Sequence, residues 1–204
     1  KRLYPMCRGV FLNSALYPSN SIDSLTDKSE RKKIYNAGVV NVLLGHSGVD
    51  DNQHKKYIDF LKDFDNLNVF SPLSYPPMND YIKDVISYGE KVLGQKFNAI
   101  VDFMDSDSYQ KNILDNIDIA VLGSWRTHGM GTIIKLILGG AKVFLDENIH
   151  SYSWLKRNGF FVYSLSEINF STLPPEQAIV NKEKAQQFFS KEALAISLER
   201  IFNN

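Results

Sequence analysis

Arg126-Thr-His-Gly-Met-Gly-Thr132 sets a guanidinium, an imidazole, two glycines and a hydroxyl directly before the apolar residues Ile133, Ile134, Leu136, Ile137 and Leu138. The apolar run fits a short helix that Gly139 or Gly140 can close. A helix apolar on nearly all sides packs against a sheet. In its first turn, Gly129, Gly131 and Thr132 let a ligand approach the backbone. The free N–H groups and the positive end of the helix dipole there suit a phosphate, and Arg126 and His128 can add donors. The same residues also suit a tight strand-to-helix turn that holds nothing, because Gly-x-Gly alone does not decide.

The surrounding pattern supplies the frame. Buried strands are expected at Val39–Leu44, Asn68–Leu73, Ala99–Phe103, Ile117–Leu122, Ala141–Leu145 and Phe160–Tyr163, from their continuous apolar or β-branched character. Helices are expected between them. One, capped by Asp51 or Asn52, runs to about Phe64, with Phe60 and Phe64 on its inner side. Others cover Asp80–Leu93, a stretch capped by Asp105 running to about Asn116, and Asn148–Asn158. Beyond Pro174-Pro175 a last helix spans Lys182–Phe202. Strands alternating with helices at this spacing make βαβ units, hence an α/β, Rossmann-like, doubly wound parallel sheet of about six strands. Ligands of such sheets bind beyond the carboxyl ends of the strands, where strand order reverses. Gly45–Asp51, Ser74–Met78, Phe103–Ser106, Gly123–Met130 and Asp146–Ile149 all fall at those ends.

Composition sets bounds. Lys and Arg number 23 and Asp and Glu 23, which argues against a mainly electrostatic hold on nucleic acid. Cys7 is the only cysteine, so no internal disulfide framework exists. No apolar run approaches the roughly 18 residues of a spanning helix. With 204 residues, one domain plus extensions is expected. We divide the chain into 1–36, a linker or the remnant of an upstream domain in which Val10–Leu12 fits a strand; 37–180, the compact domain; and 181–204, a C-terminal helix.

Three loops carry a family likeness: Leu43-Leu-Gly-His-Ser-Gly-Val-Asp-Asp-Asn-Gln-His54, Ser74-Tyr-Pro-Pro-Met-Asn-Asp-Tyr-Ile82 and Arg126-Thr-His-Gly-Met-Gly-Thr132. Together they resemble the bacterial 4-acetamido-4,6-dideoxygalactose transferases of glycosyltransferase family 56, which act on a lipid-linked intermediate of enterobacterial common antigen. Asp146-Glu-Asn148 is similar to that family's Arg-Glu-Asn. The likeness runs from about Asn41 to Ile168. It implies the C-terminal, donor-binding half of a GT-B glycosyltransferase, with inverting transfer of a deoxy-amino or related sugar from a nucleotide diphosphate donor (dTDP-linked is one option). No cofactor and no metal at the phosphates are implied.

On that resemblance the leaving diphosphate is held by Gly129, Gly131, Thr132 and Arg126, with His128 beside them. Gly45, Ser47 and Gly48 approach from the neighbouring loop, Tyr75 stacks on the base, and Glu147 or Asn148 accepts from hydroxyls. The acceptor, a lipid-linked sugar or glycan, meets a preceding half. The implied location is cytoplasmic, with peripheral contact at the inner face of the membrane open to the full-length protein and no nucleic-acid partner. An isolated donor half is expected to turn nothing over.

Departures from the family pattern are Thr127 and His128 where it has two Gln, and Asp146 where it has Arg; they bear on the sugar and the base. Retaining GT-B enzymes place Glu at His128's position and again eight residues on, where this chain has Leu136. No residue is assigned as general base. His46 and His54 are read as capping or core histidines, Asp50-Asp51 as a cap, and Trp125 and Trp154 as packing residues. Two other functions are compatible with the sequence. One is a nucleotide-sugar 2-epimerase of GT-B fold. The other is a receiver-like signalling module, with Asp50-Asp51, Asp102 and Ser124 at the expected ends but Lys142 at the start of strand five, where a receiver has its Lys at the end.

Overall fold

A computed structural model describes residues 38–202. The readings of 1–37, the Val10–Leu12 strand and the linker among them, lie outside the described residues. Six parallel strands are β1 (Val40–Leu44), β2 (Leu67–Pro72), β3 (Phe97–Ile100), β4 (Ile119–Leu122), β5 (Lys142–Leu145) and β6 (Tyr163–Ser164). They lie in the order β3-β2-β1-β4-β5-β6, the doubly wound order of the Rossmann fold. A receiver has the order 2-1-3-4-5 instead. The Lys142 ammonium moreover bonds Asn169 Oδ1 (2.6 Å), Ser171 O (3.1 Å) and Ser171 Oγ (3.0 Å) at the start of β5, which removes it from the receiver role.

Successive strand residues face opposite sides, and both sides are covered. Val42, Leu44, Ile119, Val121 and Phe144 join one core with α1 (His54–Leu61) and α2 (Asp80–Leu93). Leu43, Ala120, Leu122, Val143 and Leu145 join the other, with α4 (Met130–Leu138), α5 (His150–Arg157) and α6 (Pro175–Phe189). The glycine-led helix α4 is thus buried against the sheet, as its apolar sequence requires. A short helix α3 (Ser106–Asn112) precedes β4, and α7 (Lys191–Phe202) ends the described chain.

Several boundaries differ from the expectation. The helix after β1 is capped by no side chain: Asp50–Asn52 forms a 3-10 turn, and Gln53, at φ 54°, leads into α1. That helix stops at Leu61; Phe60 within it and Phe64 beyond its end are both exposed and pack on Phe170 instead of lining the core. β3 ends at Ile100, leaving Phe103 86% exposed. Trp125 is 53% exposed and is not a packing residue, whereas Trp154 packs on Phe160, Phe188 and Phe189. Asp105 does cap its helix, accepting from Asp107 N and Ser108 N, but α3 ends at Asn112 and a 3-10 turn follows.

Strand six lies later than expected, at Tyr163. The Phe160–Val162 segment before it is tied to a helix instead. Buried Asn181 of α6 accepts from Phe161 N at 2.7 Å and donates to Phe161 O at 3.0 Å, the two bonds a neighbouring strand would supply. The last helical region starts at Pro175, not Lys182, and breaks at Ser190, whose hydroxyl accepts from Ala193 N to open α7. Asn181→Ala should lower stability by about 2 kcal/mol, because both Phe161 backbone groups lose their partner. Urea denaturation measures it.

Candidate functional site

β1 and β4 are neighbours whose connections leave in opposite directions, so a crevice opens between the loops at their carboxyl ends. The loop after β1, residues 45–52, is organised by the buried Asn52. Its Nδ2 reaches Ser47 Oγ (3.4 Å), Val49 O (3.2 Å) and Asp51 Oδ1 (3.1 Å), and its Oδ1 accepts from His46 N (3.2 Å). The loop after β4, residues 123–129, is closed by Ser124, whose hydroxyl accepts from Arg126 N and donates to Arg126 O, both at 3.2 Å.

Three contacts join the two loops. Gln53 Nε2 donates to Gly123 O at 2.5 Å. His128 Nε2 lies 2.6 Å from Asp51 Oδ2. The His46 ring meets His128 edge-on at 5.0 Å and fills the space beside Gly129, where a Cβ would stand 2.9 Å from His46 Cγ. Gly129 also has φ 68°, so glycine is needed there twice over. Asp51 is 1% exposed and acts as a cross-loop anchor, which corrects its reading as a cap. Burial, and then the neighbouring His128, hold His46 below the ordinary histidine range.

Gly129 is the N-cap of α4 and offers no side chain to it. The first backbone bond of the helix runs from Ile133 N to Gly129 O at 2.9 Å. The amides of Met130, Gly131 and Thr132 therefore have no hydrogen-bond partner among the described residues. Arg126 is exposed and forms no ion pair among them. Gly45, Ser47 and Gly48 lie in the facing loop. Ser47 is buried and accepts from Asn52, so its hydroxyl proton is still free to be given away. Gly48 N donates to Tyr75 O at 2.6 Å, which brings the β2 loop to the crevice with the Tyr75 ring 70% exposed.

A cleft of about 400 Å³ lies between α1, the loop after β5 and the segment that follows β6. Tyr57, which packs on Gly123, forms an apolar wall with Phe60, Leu165 and Ile168. The polar lining of the cleft is Lys56, Asp146, Glu147, Asn148, Ser164 and Ser166. Glu147 Oε2 accepts from Ser164 Oγ at 2.7 Å, and Asn148 donates from both nitrogens to Asp146 Oδ1 at 2.9 Å. Burial and then the Asp146 charge push the Tyr57 hydroxyl up to about 12, so it remains a neutral donor.

Of the residues named from sequence, Gly45, Ser47, Gly48, Tyr75, Arg126, His128, Gly129, Gly131 and Thr132 gather at the crevice, and Glu147 and Asn148 line the adjoining cleft. Gln53 and Ser164 carry no reading from sequence, and Asp51 and Asn52 are read there only as helix caps. Asp51 and His128 are separated by 77 positions, and nothing local to either announces the other.

Residues 8–194 match the family described as 4-alpha-L-fucosyltransferase glycosyl transferase group 56. The match covers well over half of the chain and extends on both sides of the segment that carries the three loops. With the six-stranded parallel sheet consistent with a GT-B half, and the loops in the order their motifs require, the chain belongs to glycosyltransferase group 56, a fucosyltransferase family.

Proposed function

We propose that this chain is the donor-binding half of a GT-B glycosyltransferase that moves a deoxy sugar, amino-substituted or not, from a nucleotide diphosphate with inversion and without metal. The observation that carries this is the group of three amides at the start of α4 that have no partner among the described residues, at the rim where strand order reverses. When the sugar's C1–O bond breaks, negative charge grows on the departing diphosphate. Fixed amides, the positive helix end and a guanidinium lower the free energy of that charge without reorganising. In this reading Arg126, Ser47 and His128 add donors, and Gly45 and Gly48 let the ligand close on the backbone.

The cleft suits the uncharged parts of the donor. It sets Asp146 and Glu147 against Lys56, which disfavours a phosphate but leaves acceptors for ribose or sugar hydroxyls on Glu147 and Asn148. Its apolar wall suits a planar base or a deoxy carbon, and Tyr75 has an exposed face for stacking. The acceptor, a lipid-linked sugar or glycan, is placed in the other half of the enzyme, together with the general base. Among the described residues no helix is long and apolar enough to cross a membrane.

Calorimetric titration with UDP, GDP, dTDP and ADP tests the reading. One of the four should bind more tightly than about 1 mM. Arg126→Ala should weaken it about 10- to 100-fold, the range for a lost charge-assisted hydrogen bond. Absence of sub-millimolar binding to all four overturns the proposal.

A further inference from the structure

We propose that Asp51 is a positioning residue for the donor: it holds the His128 ring by Nε2–H, so that Nδ1 is the nitrogen offered to the diphosphate, and it makes donor binding proton-linked. The inference rests on the donor-binding reading above and adds to it a residue and a pH response.

The geometry gives the reason. Asp51 is buried, and a buried carboxylate needs hydrogen bonds and a nearby positive charge. Its Oδ1 is taken by the Asn52 amide, which carries no charge, and its Oδ2 by His128 Nε2 at 2.6 Å. Two other imidazoles stand close. His46 from the same loop and His54 from α1 both feel the Asp51 charge, yet burial biases each toward its neutral form. Of these three imidazoles only that of His128 bonds the carboxylate among the described residues, and its side chain is 34% exposed. The nearest cation on its own loop is Arg126.

With Nε2 committed to Asp51, Nδ1 has no partner among the described residues. His128 stands two positions before the first residue of α4, beside the free amides. A singly protonated ring bonded to Asp51 through Nε2–H presents Nδ1 as a lone pair, which repels a phosphate oxygen. A doubly protonated ring presents Nδ1–H and a positive charge, which attract it. Diphosphate binding therefore favours the second form and draws in a proton. No covalent step is involved, and the proton stays on the ring.

The test is calorimetry on the full chain with dTDP-glucose, UDP-glucose and GDP-fucose, diesters whose phosphates do not titrate near neutrality, between about pH 5.5 and 8, where histidine changes charge. The tightest of the three should lose affinity by about tenfold as pH rises across that window, the linkage limit being tenfold per pH unit. H128Q keeps an N–H donor but cannot change charge, so its affinity should be lower at the acid end and flat with pH. D51N should weaken binding several-fold at the acid end and flatten the profile as well. A purely structural tie between the loops would lower affinity without changing the slope. Thermal melts identify a D51N protein that fails to fold, and H128Q, at a half-exposed position, then carries the test. Parallel pH profiles for wild type and H128Q overturn the inference while leaving the donor reading intact. If none of the three nucleotide sugars binds the wild type at any pH, the inference falls, and the donor reading falls with it only if UDP, GDP, dTDP and ADP also fail to bind.

Discussion

Gly123→Ala should cost on the order of 3 kcal/mol of stability and lower nucleotide affinity by tenfold or more. A Cβ at this position would stand 2.2 Å from Tyr57 Cε2 and 2.6 Å from the Asn52 carbonyl oxygen. A flexible side chain can step aside at modest cost, but the carbonyl belongs to the 3-10 turn that carries Asp51, and it cannot. Overpacking in a filled interior costs about 1–3 kcal/mol, and a backbone obstacle puts this case at the upper end. Gly123 O also receives Gln53 Nε2, so the clash pries apart one of the three links between the β1 and β4 loops. Tyr57 is at once the obstacle and a wall of the cleft. The stability loss and the affinity loss thus share one cause. Gly139→Ala is the control: its nearest neighbour to a Cβ is a carbonyl at 3.4 Å, and its φ of −70° suits any residue. That change should stay within about 0.5 kcal/mol of wild type. Urea midpoints and calorimetry with the nucleotide that binds separate the two variants, and equal midpoints would refute the steric argument.

The contrast between those two glycines shows what a sequence reveals and what it conceals. Gly139-Gly140 announces its role, because the pair follows an apolar helical run and a helix end is a local event; Gly140, at φ 72°, is the one that closes it. Gly123 gives no such sign: its neighbours, Tyr57 and Asn52, are some 70 positions away and arrive only when the sheet is built. The same division runs through the site. The continuous apolar character of β1, β4 and β5 predicted strands covered on both faces, and the parallel topology then gathered the polar loops at one rim. Backbone features at that rim, the free amides and the glycines, were legible because they depend on residues within one turn. The side-chain links were not. Asp51 looked like a cap because caps are the usual office of an aspartate between strand and helix, and only the fold brings His128 to it. On hydrophobicity alone Phe103 reads as the end of a strand and Trp125 as a packing residue. Both follow the last paired residue of a strand, where the chain has already turned outward into the loops.

His54 leads to the second large effect, a loss of stability in acid that a buried neutral histidine imposes. The ring is fully buried in α1, with Nδ1 2.9 Å from the Tyr81 hydroxyl of α2 and Nε2 without a partner among the described residues. Nε2 lies beneath the β1 loop, where a Cβ on Gly45 would be 2.6 Å from it. Burial, and then the charge of His46, lower its pKa from 6.5 to about 4, with Asp51 pulling the other way. In the unfolded chain the ring takes up a proton near its ordinary 6.5. Below that pH the unfolded state binds more protons than the folded state, so stability falls as pH falls. The loss accumulates at up to 1.36 kcal/mol per pH unit between 6.5 and about 4, on the order of 3 kcal/mol in all, and is complete once both states are protonated. His46, lowered mainly by burial, adds to the loss in the same direction. A proton forced onto His54 Nε2 has no acceptor to meet, so relief comes by lifting the β1 loop that holds Ser47, Asp51 and Asn52. As pH approaches about 4, acid should therefore dismantle the candidate donor site before the sheet melts. Urea denaturation at about pH 7, 5.5 and 4.5 reads the first effect, comparing wild type with His54→Gln, which can still bond Tyr81 but carries no titrating group. The variant should be less stable at neutral pH and show the shallower decline, the difference in slope isolating one imidazole from the carboxylates both proteins share. Identical declines would mean that position 54 is wet enough to hold its charge, and the packing of Gly45 over Nε2 would have to be abandoned.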